Sequence, residues 1–420
     1  MKMKYAFFAV MLFFACSDVE AQERTLFSSA YSLINAHEYF QARDLYAGRK
    51  NELSQVHRNV IEAVLDNVFN RCEKSRSKID LLLKNHGLPD SLRFSLLKIK
   101  VDNAVRLFRY NEAAATVSQI LSHHSGLLDS LGLADFNNSL KIWTALKDVP
   151  PQAIKVKQAV RIKMEKDVAG LNNLRLSAGG TDGSFIFDTG ANLCTASQST
   201  ALRFKMKLLP EEIEVGAVTG KTVLAHLAVC STLNLDSIVM HNVIFLVLPD
   251  TDLSFPQISY QINGILGYPV IQAFNEVTIT KDGYFIVPKR EKAFHEKPNL
   301  AMDGLLPLVE IDGHPYSFDT GADHTTLYHA FYADNKAGIQ GNYSLQKITF
   351  GGAGGAVSAD GYSISHTFRI AGQKVSLENI QVLIEKTNPE EVLFGNIGQD
   401  IIGRFNEMTL NFRKMFLMLE

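Results

Sequence analysis

The chain has 420 residues, 46% of them hydrophobic and 20% charged, with a formal net charge of −2. That length accommodates two or three domains with cores of their own, and near-balanced charge without a block of Lys and Arg gives nucleic acid no electrostatic foothold. The four cysteines (Cys16, Cys72, Cys194, Cys230) lack CxxC spacing, so they imply neither a zinc site nor a disulfide framework.

Lys2 and Lys4 precede an apolar run from Tyr5 to Ala15, too short to span a bilayer comfortably. A basic start followed by a short apolar core reads as an export signal. Two endings are open. Cleavage after Val19-Glu20-Ala21 would make residues 1–21 the signal peptide. Alternatively, Phe13-Phe14-Ala15-Cys16 resembles a bacterial lipobox, with Cys16 lipidated. Either route predicts an exported protein: a periplasmic, outer-membrane or cell-surface lipoprotein, or a secreted one. Membrane contact is expected only through a lipid anchor at Cys16.

Residues 25–150 read as successive helices. Ile61, Val64, Leu65 and Val68 form one stripe at helical spacing, and Leu97, Val101, Ala104, Val105 and Phe108 form another. Tyr39–Tyr46 resembles Tyr110–Val117, and the small residues Ala42, Ser77 and Ala113 recur at similar intervals. The pattern looks like a degenerate tetratricopeptide array; the alternative is an unrelated helical bundle. An array of that kind would dock a protein partner. Pro150-Pro151 closes the helical part.

Beyond it, short β-rich stretches alternate with Gly, Asp and Asn turns, as in a compact all-β fold. The first set is Ser184–Phe187, Val243–Leu248, Val277–Thr280 and Tyr284–Val287; the second is Tyr316–Phe318, Gln346–Phe350, Gln381–Ile384 and Met408–Leu410. Hairpins are expected to turn at Asp182-Gly183 and Asp312-Gly313. The polar stretch Glu291 to Met302 reads as a joint, giving units over 165–292 and 303–420.

The two sets are copies. Asp188-Thr189-Gly190-Ala191 returns as Asp319-Thr320-Gly321-Ala322, and 319 − 188 gives 131. The same offset relates Gly264-Ile265-Leu266-Gly267 to Gly395-Asn396-Ile397-Gly398, and Phe274-Asn275-Glu276 to Phe405-Asn406-Glu407. One Asp-Thr-Gly triplet alone is usually a solvated turn. Here each follows an apolar-rich strand and precedes, at one interval, an apolar-Gly segment opening a short helix.

In that combination the region from Leu171 to Glu420 resembles the retropepsin-type aspartic proteases, with two copies fused in one chain. The resemblance implies a multidomain α + β protein, in which the helical domain precedes two all-β units forming a pseudo-two-fold bilobal protease. It implies Asp188 and Asp319 as a catalytic dyad, with Thr189 and Thr320 tying the loops together and Gly190 and Gly321 allowing close approach. It implies an endopeptidase that acts as a monomer on a peptide or protein, without cofactor or metal. Two carboxylates about 3 Å apart share one proton; the ionised one takes a proton from the attacking water, and the other hydrogen-bonds the carbonyl oxygen. Alanine after each Gly supplies no hydroxyl donor to the carboxylates, which points to activity extending toward neutral pH. Flaps are expected at Gly216 to Gly220 and at Gly351, Gly352, Gly354 and Gly355, ordinary loops being the alternative. Asn192 against Asp323, and Tyr268-Pro269 against Gln399-Asp400, mark where the copies differ.

Other chemistries find little support. His123-His124 lacks ligand spacing, there is no HExxH or GxSxG, and Cys194 reads as a small core residue. The competing class is a peptide-binding or scaffold protein that keeps the protease fold without turnover.

Overall fold

The computed structural model describes residues 21–216, 222–256, 259–352, 355–387 and 391–420. The signal segment with Cys16, and Gly220 and Gly354 of the proposed flaps, lie outside the described residues. A helical region over residues 21–146 precedes a β-rich region, as its composition predicts. No helix among the described residues is long and apolar enough to cross a membrane.

The helices are α1 (residues 21–35), α2 (Tyr39–Arg49), α3 (Gln55–Val68), α4 (Cys72–Leu82), α5 (Asp90–Arg106), α6 (Tyr110–His123) and α7 (Ser130–Leu146). Ser54 and Asp129 cap α3 and α7 by accepting His57 N and Gly132 N. The first three helix pairs turn on the same device. His37, Asn70 and Phe108 each take a left-handed φ of 59°, 55° and 56°. The amide of the next residue then reaches back to a carbonyl five positions earlier: Glu38 to Leu33, Arg71 to Asp66 and Arg109 to Ala104.

Five positions after each turn residue a small side chain is fully buried: Ala42, Ser75 and Ala113. Ser77, the expected repeat position, is instead exposed and bonds back to Glu73 O. The buried small residue of the second pair is Ser75, whose hydroxyl donates to Ala63 O at 2.6 Å. Unequal loops between the pairs displaced the sequence alignment.

Each β unit has its own sheet. In unit 1, Asn172–Ala178 pairs antiparallel with Thr181–Phe187, and Gly264–Leu266 adds in parallel. This hairpin turns at Gly179 and Gly180, with φ of 62° and 88°, and not at Asp182-Gly183, which lies inside the second strand. Two consecutive glycines with left-handed φ outcompete one Asp-Gly step for the turn. Unit 2 repeats the design with Leu306–Ile311, His314–Phe318 and Gly395–Ile397, and here the turn does fall at Asp312-Gly313.

A five-stranded sheet joins the units, in the order Val160–Lys163, Tyr284–Val287, Glu276–Thr280, Glu407–Asn411 and Phe416–Leu419. Its third and fourth strands are the duplicated ones, and Thr278 faces Thr409 with their hydroxyls 2.9 Å apart. The pseudo-two-fold axis passes between them. Two expected boundaries move. Val160–Lys163, before residue 165, is a strand of this sheet, and Leu300–Asp303 pairs with Leu306–Ile311. Leu300, Ala301 and Met302 are fully buried, so the end of the polar joint is a core strand.

The helical region is packed against both units. Asn70 Nδ2 donates to Phe412 O at 2.7 Å, and Gln41 Nε2 to Gly313 O at 2.9 Å. Asn138 grips both backbone groups of Glu214, donating to its carbonyl at 2.8 Å and accepting its amide at 3.1 Å. Trp143 and Leu146 of α7 share one apolar cluster with Ile213, Leu227 and Ile244 of unit 1.

Candidate active site

Both Asp-Thr-Gly words sit at the ends of buried strands that the supporting segments hold in parallel. Ile186 and Phe187 register with Ile265 and Leu266; Ser317 and Phe318 register with Asn396 and Ile397. Each aspartate's amide then continues the ladder, Asp188 N donating to Leu266 O at 3.1 Å and Asp319 N to Ile397 O at 3.0 Å. The chains leave their sheets at these points, which brings the loops to the two-fold axis.

There the two loops interlock through their threonines. Thr189 N donates to Thr320 Oγ1, and Thr320 N to Thr189 Oγ1, both at 3.0 Å. The hydroxyls in turn donate across the axis, Thr189 to Phe318 O at 2.7 Å and Thr320 to Phe187 O at 2.9 Å. All four bonds are buried. Gly190 and Gly321 sit against the opposite carboxyl: a Cβ on Gly190 would lie 2.6 Å from Asp319 Cγ, and one on Gly321 would lie 2.3 Å from Asp188 Cγ. Any side chain there would displace the carboxyl it faces.

The two carboxyls meet at the axis, each lying against the glycine of the other loop. Asp188 Oδ1 accepts Gly190 N at 2.8 Å and Ala191 N at 3.1 Å. Asp319 Oδ1 accepts Gly321 N at 2.8 Å, while its Oδ2 accepts Asn396 Nδ2 at 3.2 Å. Burial, then the neighbouring Asp319 carboxyl, raise Asp188 well above the ordinary carboxylate range, outweighing the Gly190 and Ala191 amides.

Beneath the loops, Tyr268 N donates to Ala191 O and Gln399 N to Ala322 O, both at 2.9 Å. Gly267 N donates to Cys194 Sγ at 3.3 Å, and its counterpart Gly398 N to Thr325 Oγ1 at 3.1 Å. Cys194 is thus a buried acceptor under the loop; burial pushes its thiol up to about 12, so it stays neutral. Tyr268 is fully buried, edge-on to Phe412 at 5.4 Å. Asn192 and Asp323 are exposed, and Asp323 lies 3.6 Å from His324 rather than on the dyad.

The flap candidates Gly216, Gly351, Gly352 and Gly355 lie at the ends of paired strands, Gly216 opposite Thr222 and Gly352 opposite Gly355. The sequence gives no evident part to Asn396 and Ser317; Gln399, already marked as a difference between the copies, donates its side-chain amide to Thr320 O at 2.8 Å. A comparison of the copies position by position would have flagged the first two, because polar residues there replace isoleucines.

Residues 174–270 match the family model described as aspartyl protease. The matched segment holds the first Asp-Thr-Gly word and its supporting Gly267. Among solved structures, the chain is similar to a retropepsin-like aspartic protease from Rickettsia conorii, at 15% identity and a TM-score of 0.22. That match covers 33% of this chain and 94% of the other. No significant match was found among curated proteins.

Proposed function

We propose that the chain is an aspartic endopeptidase, hydrolysing peptide bonds with a water activated by Asp188 and Asp319. The observation that carries this reading is the pairing of the two carboxyls on loops locked by mirror-related threonine bonds. Two carboxyls this close hold a single proton between them. The ionised member takes a proton from water as the water oxygen attacks the peptide carbonyl. The protonated member passes its proton to the carbonyl oxygen, giving a neutral diol. Collapse returns one diol proton to the dyad, while the proton taken from water goes to the leaving nitrogen. Charge and atoms balance without a covalent intermediate.

Both carboxyls belong to one chain, so a monomer is the working unit of this reading, and its substrate is a peptide or protein. Export through residues 1–21, with or without a lipid at Cys16, belongs to the same proposal. Mass spectrometry of the mature N-terminus tests it, since an unprocessed Met1 would overturn export. Because Ala191 and Ala322 bring no hydroxyl to the carboxyls, activity should extend toward neutral pH. A sharp optimum near pH 2 with nothing at pH 6 would contradict this. Peptide-library cleavage by the purified protein tests the core of the proposal; no cleavage, with substrate-like peptides still bound, would favour the silent peptide-binding reading.

A further inference from the structure

The two halves of the dyad differ in what stands behind them. In unit 1 the register pair under the catalytic loop is Ile186 with Ile265; at the corresponding positions unit 2 has Ser317 with Asn396. The apolar pair gives Asp188 nothing to bond. The polar pair does the reverse: Ser317 Oγ donates to Asn396 Oδ1 at 2.6 Å, which turns the amide so that Nδ2 donates to Asp319 Oδ2 at 3.2 Å. Ser317 is buried and Asn396 half-buried, and the hydroxyl also lies 3.2 Å from Gly395 O, farther than from the Asn396 oxygen.

Counting donors on each carboxyl sharpens the contrast. Asp188 receives two N–H groups, both on Oδ1. Asp319 receives two as well, but one on each oxygen. A proton on Asp319 would therefore sit on an oxygen already facing an N–H donor, whereas Asp188 Oδ2 accepts none of the backbone or amide bonds described. We infer that Asn396, oriented by Ser317, fixes the shared proton on Asp188 and keeps Asp319 as the ionised base. This rests on the dyad reading and gives its halves separate roles. Asp319 takes the proton from water, and Asp188 donates to the carbonyl oxygen. Asn396 and Ser317 are positioning residues.

The ionisable groups on the surrounding elements are few. Tyr328 is kept neutral chiefly by burial, with Asp319 and Glu391 adding to the effect. Glu391 itself accepts from Thr387 and His329 N, and Asp400 accepts from Thr325. Asp323 and His324 are exposed at the loop.

The test is the pH profile of kcat/KM for Asn396→Leu against wild type. If Asp319 is ionised whenever the dyad carries one charge, losing its donor eases only the protonation of the singly charged dyad. The acid limb should then rise by about one pH unit, the scale of one hydrogen bond to a charged group, with the alkaline limb unmoved. If Asp319 instead holds the proton, the alkaline limb moves and the acid limb stays. That result would overturn the inference. So would a loss of activity equal at every pH, the mark of a merely structural role. Ser317→Ala should give the same shift in smaller measure, and Asn396→Asp should not restore the wild-type limb.

A readout without turnover separates this inference from the protease reading. The thermal stability of wild type minus Asn396→Leu, followed against pH, should open as the dyad takes its first charge and stay constant above that point. A difference that opens only at the second ionisation, or one flat throughout, would overturn the proton assignment even in a protein that cleaves nothing. The expected curve with no peptide cleaved would leave the assignment standing and remove the protease reading.

Discussion

Replacing Thr189 by valine removes one hydroxyl and almost no volume, so the result reports hydrogen bonding rather than packing. Thr189 Oγ1 accepts Thr320 N at 3.0 Å and donates to Phe318 O at 2.7 Å. Thr189 is fully buried and Thr320 nearly so, which keeps water from filling the gap. A buried donor or acceptor left unpaired costs about 1–3 kcal/mol, and this substitution orphans one of each. The loss is therefore about 2–6 kcal/mol, a large part of the roughly 5–15 kcal/mol that holds a typical protein folded. Urea unfolding measures it. Thr320→Val removes the mirror-related pair and should cost the same within about 1 kcal/mol. The double variant should depart from the sum of the two if the loops act as one network. A change below about 0.5 kcal/mol for Thr189→Val would refute the claim that these bridges join the halves.

Four further outcomes follow from the same structure. Gly321→Ala places a Cβ 2.3 Å from Asp188 Cγ, against a normal carbon contact of about 3.5–4.0 Å; the carboxyl must move by about 1 Å, and kcat should fall on the order of 100-fold. Gly338→Ala, in the helix His329–Asn342 with nothing within 4 Å, should instead stabilise by roughly 0.5–1 kcal/mol. Asp188 has a folded pKa raised by burial and by Asp319. Its proton is held more tightly in the folded state, so stability is complete below the ordinary carboxylate pKa of about 3.9 and declines as pH rises toward the folded value. Asp188→Asn cannot ionise, so its stability advantage should grow from nothing near pH 4 toward neutral pH; a pH-independent difference in Tm would contradict this. Arg106 is buried in α5 and bonds Asp102. Arg106→Leu should cost roughly 3 kcal/mol in urea unfolding, moderated by the partial exposure of Asp102.

The duplication made much of this site legible. A constant offset between two carboxylate words is a statement about geometry once each word ends a strand, because repeated strands fold to repeated positions. The hairpin at Asp312-Gly313 was readable for the same local reason, since its turn residues have no stronger rival nearby. The hairpin of unit 1 was not, because Gly179-Gly180 stood upstream of a more familiar Asp-Gly step. Ser75 was hidden behind Ser77 because burial depends on which helix face meets α3, and a weak repeat does not determine that. Leu300, Ala301 and Met302 belong to a core strand although polar residues precede them, since their partner strand, Leu306–Ile311, lies on the far side of a turn. Asn396 was on the page as a departure from Ile265, but its contact with Asp319 depends on parallel register, which pairing alone supplies. The grip of α7 on the strand Lys207–Gly216 left no local trace, because Asn138 binds backbone groups that every sequence provides.

The central claim is that one chain assembles one catalytic pair. Its most direct measurement is peptide-library cleavage by the isolated monomer, comparing wild type with Asp188→Asn and Asp319→Asn at equal concentration. The account predicts cleavage by the wild-type monomer and a fall on the order of 10³-fold for each substitution alone. Undiminished cleavage by either variant, or activity confined to dimers, would contradict it.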